Sequence, residues 1–172
     1  MIPGRVIILN GASSAGKTTI ARAWQAANAE PWLRVGIDQF WSMAPAGVLD
    51  GDVADPWFPR DEPRSASIVG VAFTRAWHRA VAALAHDGFH VIVDDVCFLP
   101  SFVSDWRDAL RGLDVLWVAV HCPVAIIAER ELDRGDRFRS PPWRTAPPAP
   151  VRGPIIRSSP STLPLPRRRS RR

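Results

Sequence analysis

The sequence is poor in cysteine and has no long run of apolar residues. Cys97 and Cys122 are the only two cysteines, which is too few for a disulfide scaffold, and their spacing is not that of a zinc site. No stretch reaches the roughly 18–20 apolar residues that a transmembrane helix needs, and the apolar run near the start is too short for a signal peptide. We therefore expect a soluble, cytoplasmic protein with two buried, reduced thiols.

Acidic residues are missing from one end of the chain. Residues 138–172 contain no aspartate or glutamate, but they hold 9 arginines and 9 of the 17 prolines, whereas residues 1–137 carry 13 basic and 17 acidic residues. The net charge of +5 therefore arises in the tail. Proline at this density excludes helices and central strands. We predict a mildly acidic domain over 1–137 and a disordered or extended tail over 138–172.

Strand and helix patterns alternate over the first of these segments. Gly, Pro and Asp are frequent in 43–63, which predicts an irregular connection. Strands are predicted at 5–9, 32–38, 90–96 and 114–122, and helices at 17–28, 67–86, 101–112 and 123–137. Ser101 or Ser104 is the expected start of the third helix, and Gly112 its stop. This alternation predicts an α/β domain in which helices flank a parallel sheet.

The residues between the first strand and the first helix fit the phosphate-loop pattern G-x-x-x-x-G-K-[ST] at every fixed position. Glycine lets the backbone wrap closely, so successive N–H groups can point at phosphate oxygens beside a helix N-terminus. Lys17 would reach the β- and γ-phosphates, and the Thr18 hydroxyl would ligate Mg²⁺. The expected nucleotide-binding residues are Gly11, Ala12, Ser13, Ser14, Ala15, Gly16, Lys17, Thr18 and Thr19. This pattern predicts a P-loop fold that binds a nucleoside triphosphate.

Three aspartates follow predicted strands at the sheet edge where parallel α/β proteins bind ligands. Asp38 ends the second strand, and Asp94 and Asp95 lie near the end of the third. Phosphoryl transfer needs a group that orients or deprotonates the attacking hydroxyl, together with carboxylates that hold the metal. Asp38 suits the first role, although an aspartate here could instead cap a helix. One of Asp94 and Asp95 suits the second, because adjacent strand residues face opposite ways.

Three arginines, Arg130, Arg134 and Arg137, share one face of the last predicted helix. In a phosphotransferase such a row would clamp the phosphoryl group while charge spreads over its oxygens. A solvated face paired with the acidic residues between them is the alternative, and the pattern leaves both open.

Five stretches together resemble the chloramphenicol phosphotransferase-like family. They are "IILNGASSAGKTT", "EPWLRVGID", "VIVDDV", "LDVLWVAVHC" and "ERELDRGDR", in order across residues 5–137. The resemblance implies a nucleotide-kinase-like sheet and an ATP-dependent kinase that phosphorylates a small-molecule hydroxyl, in a chloramphenicol-like antibiotic or another metabolite. It also implies that Asp38 is the base toward the acceptor hydroxyl, and that Arg134 and Arg137 belong to a lid that contacts phosphates.

Residues 39–75, which would shape the acceptor pocket, match the family least. Trp41, Met43, Trp57 and Phe58 could form an apolar, aromatic wall there or could be core. No specific nucleic-acid partner and no membrane partner is expected.

The resemblance ends inside the lid, where family members continue with a final strand and a C-terminal helix. The chain's 21 arginines and one lysine indicate a GC-rich gene, in which a shifted reading frame yields an Arg/Pro/Ser-rich tail. We expect the chain from about residue 138 to be out of frame, the last strand and helix to be lost, and strand 114–122 to form an exposed edge. Translation of the coding DNA in the other frames tests this.

Two alternative functions follow from the tail. The first is a truncated product that is weakly active or inactive. The second is non-specific nucleic-acid binding through "PRRRSRR" (166–172). Arginines alone can bind a phosphate backbone, but this segment has no aromatic residues on which bases could stack.

Overall fold

A parallel sheet organises the computed structural model, which describes residues 2–45, 47–49, 57–58, 66–133 and 155–157. Within these ranges, five strands pair in the order β2-β3-β1-β4-β5, and every pairing is parallel. The strands are β1 (Val6–Asn10), β2 (Trp32–Gly36), β3 (His90–Asp95), β4 (Val115–His121) and β5 (Ile155–Arg157). The helices are α1 (Lys17–Ala27), α2 (Ile37–Trp41), α3 (Ile68–His86), α4 (Pro100–Ala109) and α5 (Val124–Asp133). The predicted α/β domain with a parallel sheet is confirmed.

Several boundaries differ from the prediction by a few residues, and two of these differences change how a residue is interpreted. Strand β2 ends at Gly36, and the next residues turn into the short helix α2, so Asp38 lies in a first helical turn and does not end a strand. Helix α4 begins at Pro100 with Leu99 at the N-cap, and neither Ser101 nor Ser104 starts it. Proline is favoured in a first turn because its ring presets φ and its missing N–H leaves no donor unsatisfied there.

The strand β5 corrects the expectation that no strand follows β4. Its three residues pair in parallel with Ala119–His121, so β4 is not an open edge at this end. The rest of the predicted tail, and the expected change of reading frame, lie outside the described residues.

The two faces of the sheet bury different residues. Val6, Ile8, Val91 and Val93 pack against the aromatic core beneath α3 and α4. Side chains from the intervening positions, among them Leu9, pack on the opposite face with α1. This alternation is the strand period of two, and it decides which face each polar residue at a strand end reaches.

The two cysteines are free thiols with different environments. Cys97 is buried, as expected, whereas Cys122 is half-buried at the end of β4. Of the helices in the described ranges, none has both the length and the apolar character that crossing a bilayer requires.

His78 is a buried imidazole on α3. Its ring lies over the indole of Trp106, with 4.1 Å between centroids, and meets the edge of Phe102. Neither ring nitrogen has a hydrogen-bond partner among the described residues. Burial, and to a smaller extent the positive charges of Arg75 and Arg79, lower the pKa of His78 to about 3. The ring is therefore neutral at physiological pH.

This buried histidine predicts acid sensitivity. Its folded pKa lies below its unfolded value, so the unfolded chain takes up a proton first and stability falls as the pH drops from about 6.5 toward about 3. Between pH 7.5 and pH 5.5 the free energy of unfolding should fall by about 1.4 kcal/mol on account of His78. Urea titrations at the two pH values measure it.

The matched variants are His78→Phe and His86→Gln, since His86 is exposed at the end of the same helix. In His78→Phe the part of the pH-dependent fall in the free energy of unfolding that is due to His78 should disappear. In His86→Gln it should remain. The raised pKa of Asp95 acts with the opposite sign in every variant, so the difference between variants isolates His78. An unchanged pH dependence in His78→Phe would contradict the assignment.

Candidate functional site

The loop between β1 and α1 forms a concave turn of backbone. Ser14 has φ +56° and Gly16 has φ +98°, both in the left-handed region. Alternating backbone handedness of this kind turns successive N–H groups toward one side and makes an anion-binding concavity. Gly11 is required for a different reason, because a Cβ there would lie 2.5 Å from the carbonyl oxygen of Val120 on β4. The backbone of the predicted phosphate loop is therefore compatible with an anion-binding concavity.

Lys17 and Thr18 open helix α1 and meet one carboxylate. The ammonium of Lys17 is buried, with 5% of the residue exposed; it donates to the Ala12 carbonyl at 2.9 Å and lies 3.5 Å from Asp94 Oδ1. The Thr18 hydroxyl donates to the other oxygen, Asp94 Oδ2. The structure therefore brings three of the predicted residues together.

Asp95, the other candidate for the metal, points to the opposite face of the sheet. Its carboxylate accepts from the indole N–H of Trp106, from the Val96 N–H at 2.7 Å and from the Cys97 thiol at 3.5 Å. Burial raises the pKa of Asp95, and these donors offset part of that rise. Asp95 thus belongs to the core under α4, and of the pair only Asp94 reaches the loop.

A second buried contact stabilises the chain after β3. Asn10, the last residue of β1, accepts from the Cys97 N–H at 3.0 Å. Burial and the neighbouring Asp95 raise the pKa of the Cys97 thiol well above its usual value, so this thiol is protonated and inert. The contact links the end of β1 to the residues that follow β3.

Asp38 lies at the same edge of the sheet as Asp94. Gly36, two residues earlier, is the register partner of Asp94, and its N–H donates to the Gln39 side chain at 3.0 Å across the first turn of α2. The Asp38 side chain is exposed. Asp38, the predicted base, therefore lies at the strand-end edge, on a helix that begins beside Asp94.

Arg130 is a residue whose role the sequence left open. It lies on α5, and its guanidinium Nη1 donates to the Ser14 carbonyl at 3.0 Å and lies 3.7 Å from Cys122 Sγ. It is therefore in contact with the phosphate loop and is not simply part of a solvated face. In the sequence, the feature that pointed to Arg130 was the row of arginines on one face of the predicted helix. Arg134 and Arg137 lie outside the described residues.

The four aromatic and apolar candidates for an acceptor wall differ in their exposure to solvent. Trp41 and Phe58 are core residues, 3% and 0% exposed. Trp57 is half-buried against Phe73, and Met43 is 63% exposed. Only Met43 and Trp57 are accessible for a wall.

The donor set suits a magnesium ion shared with phosphates. Within the described residues, no group of three or more His, Cys, Asp or Glu side chains converges on a point. Mg²⁺ usually takes one or two carboxylates, keeps waters and completes its shell with substrate phosphates. Thr18 and Asp94 offer a hydroxyl and a carboxylate at the mouth of the loop, which fits this pattern.

Comparison with known proteins gives the same family as the sequence motifs. The model of the family described as "Chloramphenicol phosphotransferase-like protein" matches residues 4–145. A protein of Mycobacterium tuberculosis named "Putative O-phosphotransferase" is 37% identical over 154 residues, which cover 83% of this chain and 68% of that protein.

Solved structures of small-molecule kinases share the fold. An APS kinase from Mycobacterium tuberculosis, solved with AMPPNP and APS, superposes with a TM-score of 0.64 at 18% identity and covers 95% of this chain and 92% of that one. A sugar kinase from Janibacter gives 0.62 at 18% identity over 91% and 85% of the two chains. At this identity the likeness concerns the fold, which is that of P-loop kinases.

The close approach of Gly11 to β4 predicts a specific sensitivity. In Gly11→Ala the new methyl group would meet the Val120 carbonyl oxygen, a backbone atom that can yield only by shifting the strand or the loop. We expect a loss of about 1–3 kcal/mol in the free energy of unfolding, as for other overpacked sites. Chemical denaturation measures the loss.

Gly36→Ala is the matched control, since a Cβ at Gly36 would meet nothing closer than 3.7 Å and the residue has an extended backbone. This substitution should lower the free energy of unfolding by less than about 1 kcal/mol. Equal losses in the two variants would show that the contact with β4 is not what requires glycine at position 11.

Proposed function

The chain belongs to the chloramphenicol phosphotransferase-like family, and from that premise we propose that it transfers the γ-phosphoryl group of MgATP to a hydroxyl of a small molecule in the cytoplasm. The observation that carries the proposal is the meeting of Lys17 and Thr18 on the Asp94 carboxylate, at the sheet edge where Asp38 also lies. This arrangement provides a phosphate cradle, a hydroxyl–carboxylate pair for a cation and a second, separate carboxylate.

The donor half of the site consists of the loop Gly11–Thr18. Its N–H groups and the start of α1 would face the β- and γ-phosphates, with Lys17 between them. Thr18 and Asp94 would hold Mg²⁺, whose charge offsets that of the phosphate oxygens. Lys17 is already desolvated and paired, so it can be reoriented to a phosphate without being newly buried.

The acceptor half centres on Asp38. In the proposed reaction its carboxylate accepts the proton of the acceptor hydroxyl, whose oxygen forms a bond to the γ-phosphorus. The bond between that phosphorus and the β,γ-bridging oxygen breaks, and ADP leaves. The exposed position of Asp38 at the start of α2 leaves room for an acceptor to approach it.

Further residues would complete the acceptor side and the lid. Met43 and Trp57 are the accessible candidates for an apolar contact with the acceptor, a chloramphenicol-like antibiotic or another metabolite. We assign Arg134 and Arg137 to the phosphate clamp on the basis of the "RGDR" motif.

The roles of Lys17 and Asp38 predict different losses. Asp38→Ala should lower acceptor-dependent ADP release by about 10²–10⁴-fold, the usual contribution of a general base, and leave the AMPPNP dissociation constant unchanged. Lys17→Ala should weaken AMPPNP binding and abolish turnover. A coupled assay of ADP release with a panel of hydroxylated acceptors, together with calorimetric AMPPNP titrations, measures both.

The matched control is Asp105→Ala, because Asp105 is a carboxylate on α4 that pairs with Arg75. It should retain turnover. Acceptor-dependent turnover that survives in Asp38→Ala would refute the proposed base, and AMPPNP binding without turnover on any acceptor would favour the weakly active or inactive alternative.

The different surroundings of the two adjacent aspartates predict different effects of replacing each by asparagine. Asp94→Asn should raise the Mg²⁺ concentration needed for half-maximal AMPPNP binding by about tenfold or more, because one charged oxygen of the cation site is lost. Asp95→Asn should lower the free energy of unfolding by about 1–3 kcal/mol through its buried hydrogen bonds and leave the Mg²⁺ dependence unchanged. A shift of the Mg²⁺ dependence in Asp95→Asn alone would reverse the assignment.

A further inference from the structure

Arg130 contacts the phosphate loop from helix α5. Helix α5 follows β4, and the guanidinium reaches back so that Nη1 donates to the Ser14 carbonyl at 3.0 Å. The same nitrogen lies 3.7 Å from where a Cβ on Gly16 would stand and 3.7 Å from Cys122 Sγ. The salt bridges of the described residues include none from Arg130 to a carboxylate. Among the described residues, the Ser14 carbonyl oxygen accepts the hydrogen bond from its guanidinium.

The contact orients a peptide group that faces the cradle. The carbonyl of Ser14 and the N–H of Ala15 belong to one planar peptide and point in opposite directions. While the Ser14 carbonyl accepts from Arg130, the N–H of Ala15 points the other way and donates to the Ala12 carbonyl at 3.3 Å. Rotation of this peptide would turn a carbonyl oxygen toward any anion in the loop.

The same Ala12 carbonyl also accepts from Lys17. Two donors share this oxygen: the Ala15 N–H at 3.3 Å and the Lys17 ammonium at 2.9 Å. Both are groups of the type that binds phosphate oxygens. A continuous set of contacts therefore runs from the guanidinium of Arg130, through the Ser14–Ala15 peptide, to the lysine. The orientation of the lysine depends on this loop conformation.

The loop conformation is strained at the position that Arg130 contacts. Ser14 is the one non-glycine residue with positive φ among the described residues. A left-handed backbone is unfavourable for a residue with a Cβ and persists when surrounding contacts hold it. A charge-assisted hydrogen bond to the Ser14 carbonyl is a contact of that kind.

We propose that Arg130 is a positioning residue for the nucleotide phosphates, which holds the Ser14–Ala15 peptide so that the loop N–H groups and Lys17 face the ligand. This role of Arg130 rests on the proposed function only in that the ligand is a nucleotide. Phosphoryl transfer is not required. The role differs from that of a clamp, because the guanidinium acts on the loop before any phosphate is bound.

The single lysine of the chain provides the test. An amine-directed reagent applied to the full chain without nucleotide, followed by peptide mass spectrometry, reports how often Lys17 leaves its buried site. Arg130→Ala should raise the labelling rate of Lys17 several-fold and weaken AMPPNP binding by about tenfold. Arg130→Lys, which keeps a charged donor, should restore part of both.

Arg107→Ala is the matched control, because Arg107 is exposed near the end of α4, on the other face of the sheet. It should change neither readout. Melting temperatures identify any variant that is unfolded, and if Arg130→Ala does not fold, Arg130→Lys provides the decisive comparison with wild type.

Three outcomes separate the hypotheses. Faster Lys17 labelling without nucleotide, in a folded variant that binds AMPPNP more weakly, supports the positioning role. Weaker AMPPNP binding with unchanged labelling would make Arg130 a direct phosphate ligand and overturn the proposal. No change in either readout would overturn it as well. A chain that binds AMPPNP but phosphorylates no acceptor would contradict the proposed function and leave this test intact.

Discussion

The carboxylate of Asp94 is the contact on which the site depends. One of its oxygens accepts from Thr18, and the other lies 3.5 Å from the ammonium of Lys17. Both partners open helix α1, whereas Asp94 lies near the end of β3, so the interaction joins the phosphate loop to the next strand of the sheet. Among the described residues, Asp94 is the carboxylate that forms an ion pair with the buried Lys17, and an unpaired buried charge is costly.

The neighbouring Asp95 shows how one peptide step changes the function of an aspartate. Strand alternation sends its side chain to the other face, where it accepts from Trp106 and Cys97 in the core. Burial raises the pKa of that carboxyl, in contrast to a group that must remain charged to hold a cation. Two identical residues in sequence therefore serve the core and the ligand edge separately, because the sheet lies between them.

The sequence predicted, in order, four of the five strands and four of the five helices that the structure describes, because each of these has a local residue pattern. It also located Lys17, Thr18 and the Asp94/Asp95 pair, since the loop pattern and the strand ends are local signals. It could not choose within the pair, because the choice depends on the face that each strand presents. The turn of Asp38 into α2 and the strand β5 depend on pairing between distant segments, which no local pattern records.

The contact between Arg130 and Ser14 belongs to the same class of long-range effects, since 116 residues separate the two partners. Helix periodicity indicated a shared arginine face but not what the face meets. In the fold, β4 lies beside β1, and the helix that follows β4 therefore returns over the loop that follows β1. The order of strands in the sheet thus brings a cation to Ser14, while Asp94 brings an anion to Lys17 and Thr18. Two charges from distant parts of the chain therefore meet the residues of one loop and the helix that it opens.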